Sequence, residues 1–270
     1  MSAFTEWTTD DAAARIAVPG QLDDKYTRGV LGVITGSEQY PGAAVLGVEA
    51  ALRTGIGMVR YLGPPGPTRL VLSRRPEAVA SNGRVQAWLL GSGMDPVDRD
   101  VDSMADALAQ GLPTVLDGGA LDLHDRATGA VVITPHAREL ARVLSADAAL
   151  VAADPEYWAR TAADDLGVTV LLKGHTTLVA GPQVSFRVHS APTWLATAGA
   201  GDALGGILGA LVATHSTAIR DDPNELARLA ATAALVHGLA AERASGGGPL
   251  TILDLCGAIP ATIVQLLSRR

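Results

Sequence analysis

The run Thr197-Ala198-Gly199-Ala200-Gly201-Asp202-Ala203-Leu204-Gly205-Gly206 sets a stretch nearly bare of side chains against a carboxylate and leads straight into an apolar helix. The backbone N–H groups of Ala198, Gly199, Ala200 and Gly201 can approach an anion closely, and the following helix adds unpaired amides and the positive end of its dipole. Asp202, in the first turn, stands beside that anion. A carboxylate there has no reason to bind phosphate and is suited to accept the proton of a hydroxyl that attacks phosphorus. Leu204, Ile207, Leu208 and Leu211 recur at the spacing of a buried helix face. An ordinary loop with a capping Asp would carry the same short pattern. Gly205, Gly206 and Gly209 weigh against it, because each glycine inside a helix costs about 0.5–1 kcal/mol relative to alanine, so something must approach this helix closely.

Other candidates stand at the ends of apolar runs. His136 follows the strand-like Val131-Val132-Ile133 and is either a satisfied structural group or a ligand contact; no second His or Cys lies at zinc spacing. Lys173 ends Val168-Thr169-Val170-Leu171-Leu172, where it can set a point charge on a phosphate or remain a solvated hairpin lysine. Asp117 ends Pro113-Thr114-Val115-Leu116, with a polar or metal-adjacent role and a structural one both open. Gly63-Pro64-Pro65-Gly66-Pro67 reads as a rigid surface loop and is not a P-loop, since no Lys-Ser/Thr follows its glycine. Gly91-Ser92-Gly93 lacks the third glycine of a dinucleotide fingerprint.

The elements that must position these residues alternate. Strands at 32–36, 88–90, 113–117, 131–134 and 168–174, with a turn and strand over 55–61, interleave with helices at 43–53, 101–110 and 157–166, and 176–180 reads as a hairpin partner of the strand before it. Helices at 225–243 and 251–267 close the chain, the last amphipathic. This is an α/β fold, a three-layer α/β/α sandwich on a mostly parallel sheet, with its cleft at the carboxyl edge. Residues 1–28 read as an N-terminal extension with a short helix near 10–15 and no chemistry, and 29–270 as one domain.

Taken together, these segments resemble one family. Ala198-Gly199-Ala200-Gly201-Asp202-Ala203-Leu204-Gly205-Gly206 is similar to the anion-hole and catalytic-aspartate signature of the ribokinase-like superfamily. Three further segments look like the ADP/ATP-dependent NAD(P)H-hydrate dehydratases: Gly36-Ser37-Glu38-Gln39-Tyr40-Pro41-Gly42-Ala43-Ala44 with Ala50 to Gly57; Thr134-Pro135-His136-Ala137-Arg138-Glu139-Leu140; and Leu171-Leu172-Lys173-Gly174-His175-Thr176-Thr177. They occur in the family's order from about Gly29 onward. The resemblance implies a ribokinase-like fold and, as substrate, the S epimer of NADH or NADPH hydrated at the nicotinamide ring. It implies Asp202 as the catalytic base, also touching substrate with Ala43, Gly93 and His136. It places ADP or ATP on Lys173, Gly174, His175, Thr176, Thr177, Ala198, Gly199, Ala200 and Gly201, implies Mg²⁺ without assigning its ligands, and implies a homotetramer. Glu139 would cap or orient its loop, and His237-Gly238 would pack closely over the adenine side. The chain departs from the family at Asp95, which replaces a glycine, and at Gly118-Gly119, where a second carboxylate is usual. Many relatives carry a fused epimerase domain, for which this length leaves no room. Two rival readings stand beside it: a small-molecule kinase of the same superfamily, acting on a hydroxymethylpyrimidine, thiazole or sugar alcohol, whose product would keep its phosphate, and a non-catalytic nucleotide-binding regulator, for which Asp202 would be dispensable.

Composition narrows the classes. The net charge of −7 argues against a nucleic-acid surface. Cys256 is the single cysteine of the 270 residues, so no intrachain disulfide is possible, and with no signal-peptide or membrane-spanning run the expectation is a cytoplasmic protein. Aromatic content of 4% beside 30 glycines points to an aliphatic core with tight backbone approaches.

Overall fold

In the computed structural model, which describes residues 3–97, 99–189 and 191–270, Val30–Ile34 is buried at every position. It divides its side chains between two apolar layers, Leu31 and Val33 on one face and Val30 and Ile34 on the other. Successive strand side chains point to opposite faces, so an unbroken apolar run is what a strand covered by helices on both sides requires.

The strands in chain order are β1 (Thr5–Glu6), β2 (Val30–Ile34), β3 (Met58–Tyr61), β4 (Ala87–Leu90), β5 (Thr114–Leu116), β6 (Val131–Ile133), β7 (Thr169–Leu172), β8 (Thr177–Ala180) and β9 (Ser185–Val188). They form one sheet in the order β1-β9-β8-β7-β6-β5-β4-β2-β3. Only the β7–β8 and β8–β9 pairings are antiparallel. The helices are α1 (Thr9–Ala13), α2 (Pro41–Thr54), α3 (Pro65–Arg74), α4 (Val101–Leu108), α5 (Ala137–Val143), α6 (Ala148–Ala153), α7 (Pro155–Leu166), α8 (Ala200–Thr214), α9 (Ser216–Asp221), α10 (Glu225–Ser245) and α11 (Ile252–Leu267). Residues of α1, α2, α8, α10 and α11 join the layer of Leu31 and Val33, while those of α4, α5, α6 and α7 join the layer of Val30 and Ile34. The expected three-layer sandwich on a mostly parallel sheet is therefore the architecture found.

The glycines of α8 mark where that helix is pressed in. A Cβ on Gly206 would collide with the backbone carbonyl of Gly47 on α2, and one on Gly209 would stand 2.9 Å from the Leu31 side chain of β2. The helix thus lies wedged between α2 and the sheet. Its N-terminus is held at the sheet's carboxyl edge.

Two features differ from expectation. The segment 63–67 is not a free loop: Pro64 is the N-cap and Pro65 the first residue of α3. Proline is at home there because the first turn of a helix leaves its N–H groups unpaired and φ near −65° is already helical. The N-terminal segment also adds to the sheet, with β1 alongside β9 and α1 under α10 and α11.

Candidate active site

Four neighbouring parallel strands end at one edge and each delivers a polar residue just beyond its last pairing: Ser92 after β4, Asp117 after β5, Thr134 after β6 and Lys173 after β7. The strand ends stay in register, with Asp117 N–H donating to the Leu90 carbonyl at 3.0 Å, Thr134 N–H to Leu116 at 3.0 Å and Lys173 N–H to Pro135 at 2.8 Å. This is the rim where open α/β sheets bind ligands.

Asp117 is the hub. Its carboxylate accepts from Ser92 Oγ at 3.0 Å, Thr134 Oγ1 at 2.7 Å and Lys173 Nζ at 2.8 Å. Burial works to raise its pKa, but the Lys173 charge and these donors outweigh burial and hold it below the ordinary carboxylate range. Burial likewise works to lower the Lys173 pKa, and the charges of Asp117, Glu139 and Asp202 raise it instead. Glu139 Oε2 lies 3.6 Å from the ammonium. The same oxygen accepts from His136 N–H at 2.8 Å, and His136 Nδ1 accepts from Glu139 N–H at 3.2 Å. The pair forms a capping box on α5, so Glu139 caps its loop as expected.

The bare turn adjoins this hub. Gly199 is the N-cap of α8 at φ +90°, a conformation only glycine adopts without strain, and a Cβ there would collide with the Leu46 side chain. No side chain caps the helix, and although Ala200 N–H reaches the Thr197 carbonyl at 3.4 Å, the amides of Gly201 and Asp202 are open to a ligand. Ala200 and Gly201 are already helical, which puts Asp202 in the first turn. A Cβ on Gly201 would come 3.5 Å from Lys173 Nζ, placing the ammonium directly against the turn. Burial and the charge of Asp117 push the Asp202 carboxyl up to about 7, with Lys173 pulling the other way. That value suits a base working near neutral pH.

A cavity of about 760 Å³ opens over this edge, lined among others by His136, Lys173, Gly174, His175, Thr197, Ala198 and Gly201. A smaller cavity of about 130 Å³ lies beneath the turn, where Lys173, Gly174, Thr177, Ala200 and Gly201 meet His237 of α10. His237 Nε2 is buried there without a hydrogen-bond partner. Burial pushes the imidazole down to about 4, opposed by its backbone bond to Ala200.

The structure thus gathers Lys173, Gly174, His175, Thr177, Ala198, Gly199, Ala200, Gly201 and Asp202 around one edge. Asp202 adjoins the 760 Å³ cavity through Gly201 without lining it. Ala43 and Gly93 meet each other instead, since a side chain on Gly93 would strike the Ala43 Cβ. Thr176 faces away, into a third cavity of about 490 Å³ that it shares with His189. The Ser92 and Thr134 hydroxyls and the polar role of His237 are not among the expected site features. The signal for the first two was present, as a polar residue just beyond the end of each of two apolar strands, β4 and β6, that flank β5.

Comparison with known proteins decides the family. Residues 31–253 match the NAD(P)H-hydrate dehydratase family. The chain belongs to that family. Its relatives include the bifunctional NAD(P)H-hydrate repair enzyme Nnr of Mycobacterium tuberculosis, 43% identical over 76% of this chain and 45% of that protein. The chain therefore spans about half the length of such bifunctional relatives. The ADP-dependent (S)-NAD(P)H-hydrate dehydratase of Neisseria meningitidis is 37% identical over 70% of this chain and 71% of its own length. Among solved structures, the ADP/ATP-dependent NAD(P)H-hydrate dehydratase of Bacillus subtilis, co-crystallised with ATP and Mg²⁺, superposes with a TM-score of 0.88 at 23% identity, over 97% of this chain and 99% of that one. At that identity the likeness speaks for the dehydratase fold.

The described residues do not build a cage for a resident metal ion. None of their His, Cys, Asp and Glu side chains form a group of three or more that could hold one, and the carboxylates of Asp117 and Glu139 both turn on Lys173. Nor is any helix among them long and apolar enough to cross a membrane.

Proposed function

We propose that this chain dehydrates the S epimer of hydrated NADH or NADPH, using a phosphoryl group from ADP or ATP. The observation that carries the proposal is Asp202, a carboxyl pushed up to about 7 in the first turn of a helix whose leading amides no side chain caps. The dehydratase relatives support the substrate and the donor.

In this reading the nucleotide lies along the turn at 173–177, with its terminal phosphate on the amides of Ala198, Gly199, Ala200 and Gly201. Ala43, Gly93 and His136 border the hydrated ring. The ring hydroxyl oxygen attacks the terminal phosphorus and its proton passes to Asp202. The bond from phosphorus to the bridging oxygen breaks, and AMP leaves from ADP, or ADP from ATP. Charge developing on the transferred group is met by fixed amides and by Lys173. The ring C–O bond of the ester then breaks as the neighbouring carbon gives its proton to solvent, so inorganic phosphate departs and the reduced nicotinamide is restored. A hydroxyl that is a poor leaving group has been exchanged for a good one.

Mg²⁺ would enter as the counter-ion that the nucleotide brings on its phosphates, neutralising their charge. A homotetramer and a cytoplasmic setting are further parts of the proposal. Cys256 suits that setting: it is buried, and burial pushes its thiol up to about 12, away from disulfide chemistry.

The test is incubation of the protein with hydrated NADH and either ADP or ATP. The expected result is the return of reduced-nicotinamide absorbance with one phosphate released per turnover. A product that keeps its phosphate, or no reaction with either donor, would overturn the proposal in favour of a small-molecule kinase.

A further inference from the structure

The 173–176 turn is a thin wall between two cavities. Lys173, Gly174 and His175 line both the 760 Å³ cavity over α8 and the 490 Å³ cavity on the opposite side. Behind the wall, Thr176 Oγ1 lies 2.8 Å from His189 Nδ1, and His189 Nε2 lies 3.5 Å from Glu6 Oε2. The chain of contacts therefore runs from the N-terminal strand, through an imidazole, to the hydroxyl of the turn.

Glu6 is fixed from both sides. Thr5 Oγ1 donates to the Ser185 carbonyl at 3.3 Å and Trp7 N–H to the Arg187 carbonyl at 3.0 Å. The Trp7 ring packs on Phe186 with centroids 4.5 Å apart. Alternation along a strand sends Thr5 and Trp7 to one face and Glu6 to the other. On β9 the same alternation puts His189 on the face of Arg187, whose guanidinium is tied to Glu156 on α7 at 2.6 Å. A carboxylate offers only acceptors, so Glu6 at 3.5 Å favours the tautomer with its proton on Nε2 and attracts the ring when it is charged. In the neutral ring Nδ1 accepts the Thr176 hydroxyl proton. In the charged ring Nδ1–H donates to Oγ1, so the link survives in both forms.

We infer that Glu6, His189 and Thr176 form a brace behind the 173–176 turn, and that His189 is a positioning residue for nucleotide binding. The inference rests on the reading of that turn as the nucleotide's seat. Lys173 is anchored to Pro135 and Asp117, but the stretch from Gly174 to Thr176, with an open cavity behind it, is free to yield outward without the brace when a charged nucleotide enters in front. The N-terminal segment thereby gains a role: it holds the carboxylate that orients the imidazole.

The experiment compares wild type with His189→Ala, Thr176→Val and the double variant, measuring amide exchange over residues 174–177 without ligand and the kinetics with hydrated NADH and ADP or ATP. Loss of one hydrogen-bonded link predicts exchange and nucleotide KM each raised about fivefold in His189→Ala, with kcat within about twofold of wild type. Thr176→Val is expected to raise KM similarly, and the double variant to be no worse than the worse single variant, as coupled partners require. Glu6→Gln, which weakens only the outer link, should give a smaller rise. Unchanged exchange in His189→Ala, a loss in kcat with KM unaltered, or additive effects in the double variant would overturn the brace. Should wild type show no turnover with either nucleotide, the functional reading fails, while the exchange measurement still decides the brace.

Discussion

Lys173 Nζ lies 2.8 Å from Asp117 Oδ1, and the two residues, 56 positions apart in the chain, set the electrostatics of Asp202 from opposite directions. Asp117 raises the Asp202 pKa and Lys173 lowers it. Replacing Asp117 by Asn removes the anion and releases the cation, so both changes favour ionised Asp202. Because Asp202 must be ionised to take a proton, wild-type kcat/KM should fall below about pH 7, where its carboxyl titrates. In Asp117→Asn that acid limb should move down by about one pH unit, and nucleotide KM should rise about tenfold as Lys173 loses its anchor. A limb that stays in place would separate Asp202 from this network.

The same shift makes a stability prediction with a definite sign. The folded-state pKa of Asp202, about 7, lies above its ordinary value of 3.8, so the unfolded chain releases this proton first and stability drains away as pH rises between the two. Asp202→Asn removes that loss. Its melting temperature should exceed wild type by several degrees at pH 8 and by little at pH 4. An equal difference at both pH values would contradict the raised pKa.

His237 carries the opposite charge logic. Its pKa falls from 6.5 to about 4 in the folded protein, so between those values the unfolded chain takes up a proton that the folded one refuses. Stability contributed by neutral His237 is therefore lost as pH falls through that window. In His237→Gln the drop in melting temperature between pH 7 and pH 5 should be smaller than in wild type. An undiminished drop would place the acid sensitivity elsewhere.

Two glycines of α8 separate packing from binding. An added methyl on Gly206 meets the immobile Gly47 carbonyl, so Gly206→Ala should destabilise the fold by about 1–3 kcal/mol, read by chemical denaturation. A methyl on Gly201 has ordinary clearance of 3.5 Å from Lys173 Nζ and improves helix propensity. Gly201→Ala should therefore melt at or above the wild-type temperature while its nucleotide KM rises at least about tenfold, since the methyl projects towards Lys173 Nζ, where the phosphate is proposed to sit. A fully active Gly201→Ala would remove the anion role from this turn.

Much of the fold was legible in the chain. β2, β4 and β7 announce themselves because strands covered on both faces must be apolar without interruption, and α8 and α10 because their apolar stripes are long. The glycines of α8 foretold the close approach that Gly47 and Leu31 supply. The helix α3 was hidden by Pro64, Pro65 and Pro67, which signal a loop and a helix start equally well. β1 was hidden because a strand of two residues owes everything to its partner β9. In the site, Asp202 and the bare turn are adjacent in sequence and could be read directly. The cluster around Asp117 could not: Ser92, Thr134 and Lys173 lie 25, 17 and 56 residues away, and only the strand order brings them together. His237 is likewise joined to Ala200 only by the packing of α10 on α8.

The central claim is that Asp202 takes the proton from the attacking hydroxyl. The direct measurement is single-turnover conversion of hydrated NADH by Asp202→Asn, alongside calorimetric binding of the nucleotide. The account predicts a rate lowered at least about 100-fold with nucleotide affinity within a few-fold of wild type, because the amide keeps the shape and cannot accept the proton. A rate within about tenfold of wild type would contradict it.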